Sequence, residues 1–457
     1  MLNAEKAKPK TGWILFLTSL GFFMSMMDSM IVTTASTAIR SDFSISVDQL
    51  QWALNAYNIA IAAVLLVGVA IGDRLGHRKV YELGLLIFVI GSILCALSGN
   101  IMSLIVARVV EGVGASVITP MSMAILTANV PVESRGKALG IWSGIGGLAL
   151  IVGPALGGII VAKIAWQWIF WINVPIGLIC ILLSQQKLPE TKAGSQKINV
   201  LDSLLVVLTS AGLIWALSAS KSVKIPTAAI IVAVLSVLFA LLLVWRQKRE
   251  DFPLIPLSFF QRWQFTGANL ATALLYAAMY GVVFFLPQFF QVVGHVNAMI
   301  AGMEMLPWTG MLVLVAPFAG RAVDRFGEQL IAIVGLFLQG LGYLLIGLIV
   351  HDGYTYSLTI VPLGLAGIGL SMAGPALQKA VLGAVSPKNL GKASGLYNMF
   401  RLFGGAIGVT ISVLIFYAIG SADTSLEFSR GFQAAMIGAG GLSLIGILSA
   451  LRWRQNA

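Results

Sequence analysis

Asp73-Arg74-Leu75-Gly76-His77-Arg78-Lys79 and, about 250 residues later, Gly320-Arg321-Ala322-Val323-Asp324-Arg325-Phe326-Gly327 are two copies of one short signature. Each lies in a charged loop after the second long apolar stretch of its half. The glycine permits a tight turn, while an aspartate beside arginine can cap a helix end and hold an ion pair against the next helix. Two copies at equivalent places divide the chain into related halves. In a membrane chain that internal symmetry is the one transporters are built on.

The composition around the signatures is that of a membrane protein. Of 457 residues, 58% are hydrophobic and 10% are charged, and the mean hydropathy is +0.92, a balance no soluble domain carries. The 49 glycines suit helices that pack closely in lipid. The net charge of +11 is spread through short loops, so it reads as topology-setting charge and not as a nucleic-acid surface. Cys95 and Cys180 both fall in apolar runs, which leaves neither a disulfide framework nor a metal site. Lys6, Lys8 and Lys10 precede an apolar run too long for a signal-peptide core and without a small-residue cleavage site, so no cleaved leader is expected.

A span needs about 20 apolar residues. Such stretches fall near 12–38, 49–71, 81–98, 102–126, 138–162, 168–185, 202–219, 226–245, 266–291, 299–320, 330–350, 357–381, 393–419 and 430–451. The expected fold is therefore all-α and membrane-integral, with fourteen spans arranged as six, two and six. Residues 1–190 form the first bundle, 191–262 carry the inserted pair with its flanking loops, and 263–457 form the second bundle. With the N-terminus inside, the inner segments hold about four times as many Lys and Arg as the outer loops, which places both termini in the cytoplasm. The 246–265 loop, with Arg246, Lys248, Arg249 and Arg262, is expected to lie on the inner membrane surface.

Ionisable residues inside spans are costly unless they face protein or water. Asp28 lies roughly 23 Å along the first span. It reads either as a carboxylate tied to a neighbouring helix or as a protonatable, cation-attracting group in a cavity. Arg108 and Glu111 share one face of the fourth span. They either neutralise each other or form an ion pair whose opening couples proton movement to a conformational change. Glu304, one turn into the tenth span, reads as an interfacial residue or a further proton or substrate ligand. Arg401, in the thirteenth span, reads as holding a helix end or the gate between halves, and Lys379 as snorkelling to the headgroups.

In the fifth span, Gly153-Pro154-Ala155-Leu156-Gly157-Gly158 combines a proline kink with glycines that allow close backbone approach. Met24, Met26, Met27 and Met30 surround Asp28, and Tyr57, Trp142, Tyr276 and Tyr280 lie in other spans. Such soft and aromatic side chains suit either ordinary packing or varied lipophilic cations. The chain has no HExxH, GxSxG or nucleotide-binding loop, and its histidines (His77, His295 and His351) are scattered. It reads as no enzyme and needs no cofactor. Its energy must come from an ion gradient or the substrate's own gradient.

Taken together, these motifs resemble the major facilitator superfamily, and within it the fourteen-span drug:proton antiporters, over essentially the whole chain. Asp73-Arg74-Leu75-Gly76-His77-Arg78 is similar to the superfamily's loop motif, with Val69 at its usual leading glycine, and Gly320–Gly327 echoes it. Arg108-Val109-Val110-Glu111-Gly112 resembles the fourth-span motif whose arginine serves proton coupling, with Glu111 where Gln is common. Gly153, Pro154, Gly157 and Gly158 match the antiporter motif of exporters. Met27–Val32 resembles the first-span drug-exporter motif, with Thr33 and Thr37 in place of its Asn and Pro, and Trp166–Gly177 resembles the opening of the sixth span.

The resemblance implies two six-helix bundles around a midplane cavity, working by alternating access. The implied function is proton-coupled antiport of lipophilic, often cationic, drugs or biocides out of a bacterial cytoplasm, by a monomer dispersed in membrane lipid. Asp28, Glu111 and Glu304 would bind substrate or proton, and Arg108 with Glu111 would couple the proton. Asp73, Arg74, Gly76, Arg78, Asp324, Arg325, Gly327 and Arg401 would gate, the two aspartates pairing with arginines at neighbouring helix ends. The alternatives are an exporter of one antibiotic (tetracycline or a lincosamide) or one metabolite, a nutrient importer, or a membrane receptor that transports nothing.

Overall fold

The computed structural model of the chain describes residues 11–190, 199–219, 226–250, 253, 255–350, 355–386, 390–451 and 453. Among these the chain is helical throughout its regular structure. The first half comprises α1 (Thr11–Phe43), α2 (Val47–Leu75), α3 (His77–Ala96), α4 (Ile101–Asn129), α5 (Val132–Lys163), α6 (Trp168–Trp171) and α7 (Asn173–Lys187). Next come α8 (Val200–Ala219) and α9 (Thr227–Gln247). The second half comprises α10 (Trp263–Val292), α11 (Ala298–Glu304), α12 (Leu306–Phe326), α13 (Glu328–Ile349), α14 (Tyr356–Gly383), α15 (Leu390–Ile419) and α16 (Ser425–Ala450).

Helix ends follow the local chemistry. Asn100 caps α4 by accepting from the Ser103 amide at 2.9 Å, and Ser103 reciprocates. Thr424 caps α16 by accepting from the Glu427 amide at 3.2 Å. Two apolar stretches that read as single spans are each broken once, between α6 and α7 and between α11 and α12.

Twelve helices among the described residues are long and apolar enough to cross a membrane. The stretch that forms α2 passes the same test only as a pair, Gln49–Leu65 and Val67–Leu75, bent by 49°. Within α8, Leu201–Leu213 is a shorter apolar helix. The all-helical expectation holds, with helix ends within two turns of the expected stretches; the expected fourteen spans are not all met among the described residues.

The duplicated signature reappears in the backbone. Gly76 joins α2 to α3 with φ 102° and Gly327 joins α12 to α13 with φ 84°, a left-handed conformation glycine adopts without strain. Within each half the helices pack on one another. α1 lies against α4, α5 and α7, whereas α10 lies against α14, α15 and α16.

The halves meet at the end remote from the start of α1. There Gln51 and Asn55 of α2 donate to Thr410 of α15 at 2.8 and 3.2 Å. Arg40 of α1 donates to Gln288 of α10 at 3.3 Å, and Gln291 donates to the Thr34 carbonyl at 3.4 Å. The C-terminal part of α5 presses on α11. A Cβ on Gly158 would stand 2.4 Å from the Ala298 oxygen, and one on Gly302 would stand 2.5 Å from the Pro154 oxygen. Only glycine allows this seam to close.

The hairpin of α8 and α9 is pinned by Asp202, which is buried and accepts from Arg246 Nε at 2.5 Å and Gln247 Nε2 at 2.6 Å. Arg246 is therefore an ion-pair partner and not simply a headgroup contact. Arg262 likewise donates to the Ala384 carbonyl at 3.0 Å. One flank of α9 is aliphatic and exposed (Ile230, Ile231, Val234, Leu238 and Leu241), as a lipid-facing helix requires.

Candidate functional site

Three ionisable side chains meet in the middle of the first half. Arg108 Nη1 lies 2.5 Å from Asp28 Oδ2 and 2.7 Å from Glu111 Oε2. Helical spacing puts Arg108 and Glu111 on one face of α4, and the packing of α1 on α4 brings Asp28 to the same point. Arg108 is 1% exposed and both carboxylates are 0% exposed.

Neutral groups complete the cluster. Asn173, at the start of α7, donates from Nδ2 to Asp28 Oδ1 at 3.1 Å and to Ser92 Oγ at 3.3 Å. Ser92 Oγ donates to Glu111 Oε1, and the Cys95 thiol donates to Glu111 Oε2 at 3.3 Å. The Arg108 guanidinium lies 4.0 Å from the centre of the Tyr57 ring and 5.7 Å from that of Phe170. Tyr57 is fixed in turn by donating to the Ser25 carbonyl at 3.0 Å. Sequence reasoning gave Ser92 and Asn173 no place in this cluster. Ser92 was only a polar residue in an apolar run, and Asn173 stood within the Trp166–Gly177 stretch, but neither pointed to the cluster.

Of the two readings of Asp28, this state shows the tied carboxylate. Arg108 and Asn173 close over it, so it faces no cavity here. Arg108 and Glu111 pair as their spacing allows, but they also share Asp28. Glu304 stands apart from the cluster, near the end of α11, where its backbone oxygen accepts from Tyr356 OH at 3.3 Å. Arg401 lies at the seam between halves, with Nη2 4.0 Å from Met26 Sδ.

The loop residues take partners within their own halves. Asp73 meets His77 at 3.0 Å and Asp324 meets Lys379 at 2.6 Å, where arginines on neighbouring helix ends were expected. Lys379 is thus also an ion-pair partner. Arg78 braces α3 against the end of α7 by donating to the Leu188 carbonyl at 3.1 Å, with Glu82 and Glu190 each 3.6 Å from its Nε. Arg74 and Arg325 are exposed.

Gly153 and Gly157 lie against α1 at Met30 and Ile31, while Pro154 and Gly158 face α11. The fifth-span motif is therefore wedged between the two halves. Among the described residues no group of His, Cys, Asp and Glu could hold a metal ion.

Two related helical halves, joined at one end and holding a buried charge cluster, make up the architecture of a two-halved membrane transporter. The family model described as Major Facilitator Superfamily matches residues 18–316 and 270–457, so the chain belongs to that superfamily. It is 28% identical over 418 residues to the multidrug resistance protein Stp of Mycobacterium tuberculosis, which spans 90% of this chain and 78% of that one. It is 30% identical over 424 residues to the riboflavin transporter RibZ of Clostridioides difficile, spanning 92% and 89%. Among solved structures, an inward-facing, unoccupied bacterial homolog of the human lysosomal transporter Spinster matches with a TM-score of 0.67. That match covers 98% of this chain and 99% of the other at 18% identity, a likeness of fold alone.

Proposed function

We propose that this chain is a proton-coupled antiporter that exports lipophilic small molecules, drugs or biocides, across the bacterial cytoplasmic membrane. In this reading it has fourteen spans, α2 and α8 included, and both termini are cytoplasmic. The protein works as a monomer in membrane lipid.

The observation that carries the reading is the charge count of the cluster. One guanidinium, always protonated, faces two carboxylates that are 0% exposed. Fully ionised, the group carries one uncompensated negative charge where no solvent screens it, which is costly. With one proton shared by Asp28 and Glu111 it is neutral. Releasing that proton requires water or a substrate group to reach the carboxylates, which the closed arrangement around Asp28 forbids until α1 moves.

The same helix carries the message outward. Besides Asp28, α1 bears Met26, Thr34 and Arg40, all of which touch the second half. Changing the Asp28 pairing therefore biases contacts between the halves, and a two-state rocking motion follows. The Gly153–Gly158 seam closes the outer side in this state. The gate on the other side is formed when the halves rock and the signature loops re-pair across the mouth. Asp324 and Lys379 are both well exposed, and such a pair is worth about 0–1 kcal/mol, so it exchanges partners readily.

Likeness to a multidrug resistance protein supports a broad range of cargo. A second reading, transport of one metabolite, has the likeness to a riboflavin transporter behind it. Everted vesicles from a pump-deficient bacterial host expressing the chain separate the two. Proton-gradient-driven uptake of several unrelated dyes, abolished by a protonophore, is the expected result. Uptake of a single compound selects the narrower reading, and uptake indifferent to the gradient defeats antiport.

A further inference from the structure

Arg401 is the mid-span cation that the buried cluster leaves aside. Besides its contact with Met26, its guanidinium lies 5.4 Å from the centre of the Tyr276 ring on α10. The phenols of Tyr276, Tyr280 and Tyr397 are its foremost titratable neighbours, and Tyr276 also accepts a hydrogen bond from it. Its Nε has no hydrogen-bond partner. Asp28 and Glu111 cannot serve as its counterions in this state, because Arg108 holds both. Arg401 is also partly exposed where Arg108 is sealed. The accessible charge between the halves is therefore positive.

A guanidinium at membrane depth with no carboxylate paired to it among the described residues is costly to keep. Its planar fork of donors fits a carboxylate bidentately, and the ring of Tyr276 beside it offers a face for a flat apolar group. We infer that Arg401 anchors an acidic group on the cargo, a carboxylate or similarly delocalised oxyanion carried by a flat aromatic molecule, with Tyr276 contacting the ring. This rests on the export reading and narrows it. The often-cationic cargo expected from Asp28 gives way to acids and zwitterions, because Asp28 is sealed by Arg108 and Asn173 while Arg401 is partly exposed.

Rhodamine 110 and rhodamine 123 test this directly, since the first has a free benzoate and the second is its methyl ester. The full-length, detergent-solubilised protein is expected to bind rhodamine 110 at least about tenfold more tightly, the size of one charge-assisted hydrogen bond. Arg401→Gln should erase that preference, and Arg401→Lys, which keeps the charge but not the fork, should retain part of it. Equal binding of both dyes, binding of neither, or a preference that survives Arg401→Gln overturns the inference. Should the glutamine variant not fold, the lysine variant decides: a preference reduced several-fold supports the anchor, and an unchanged one refutes it. Gradient-driven uptake of both dyes regardless of residue 401 would sink the anchor and leave export standing. An acid preference with uptake indifferent to the gradient would do the reverse.

Discussion

Arg108→Gln is expected to abolish gradient-driven export and to lower stability by roughly 3–5 kcal/mol, the usual cost of removing one partner from a buried ionic group. The substitution leaves Asp28 and Glu111 facing each other with no cation, both at 0% exposure. It also removes the guanidinium stacked 4.0 Å from the Tyr57 ring. The measurement is thermal unfolding of the solubilised protein beside dye uptake by everted vesicles. Adding Asp28→Asn and Glu111→Gln to the variant should restore the unfolding midpoint while transport stays absent. A single variant as stable as the parent would show that the three charges are not mutually dependent.

Asp28→Asn is expected to separate stability from transport. The side chain keeps its shape; its one amide oxygen can still accept from Arg108, and its NH2 can donate to the unpartnered Asn173 Oδ1 once that amide flips. Arg108 and Glu111 then balance without a proton, so the unfolding midpoint should move little. With no second carboxylate the cluster has no proton to exchange, and dye uptake should fall to that of vesicles lacking the protein. Normal uptake by a normally expressed variant would remove Asp28 from the mechanism.

The spans were legible because a bilayer demands about 20 apolar residues per crossing, and the helices end within two turns of those stretches. α2 is the exception by geometry: it passes as a span only as a bent pair of helices, which does not follow from mean hydropathy. Asp28, Arg108 and Glu111 stood out because charge inside an apolar run is costly. That Asn173 completes their cluster was not legible. Its contact with Asp28 spans 145 positions and depends on how α7 is rotated against α1, which no local pattern encodes. The role of Asp202 was hidden for the same reason. Its partners Arg246 and Gln247 come alongside only when α8 and α9 fold back as a hairpin. At the signature loops the glycine geometry followed from sequence, but the partners of the aspartates did not. Asp73 reaches His77 one turn along, and Asp324 reaches across to α14 for Lys379.

The claim that the buried cluster exchanges a proton for cargo is tested most directly by watching the proton itself. The purified protein is reconstituted into liposomes loaded with a dye that the everted vesicles accumulate, and an electrode follows the pH of a weakly buffered external medium. Downhill exit of the dye should draw protons inward and raise the external pH, whereas Asp28→Asn and Glu111→Gln liposomes should leave it flat. Dye exit without any change in pH, or an equal change in the two variants, would contradict the account.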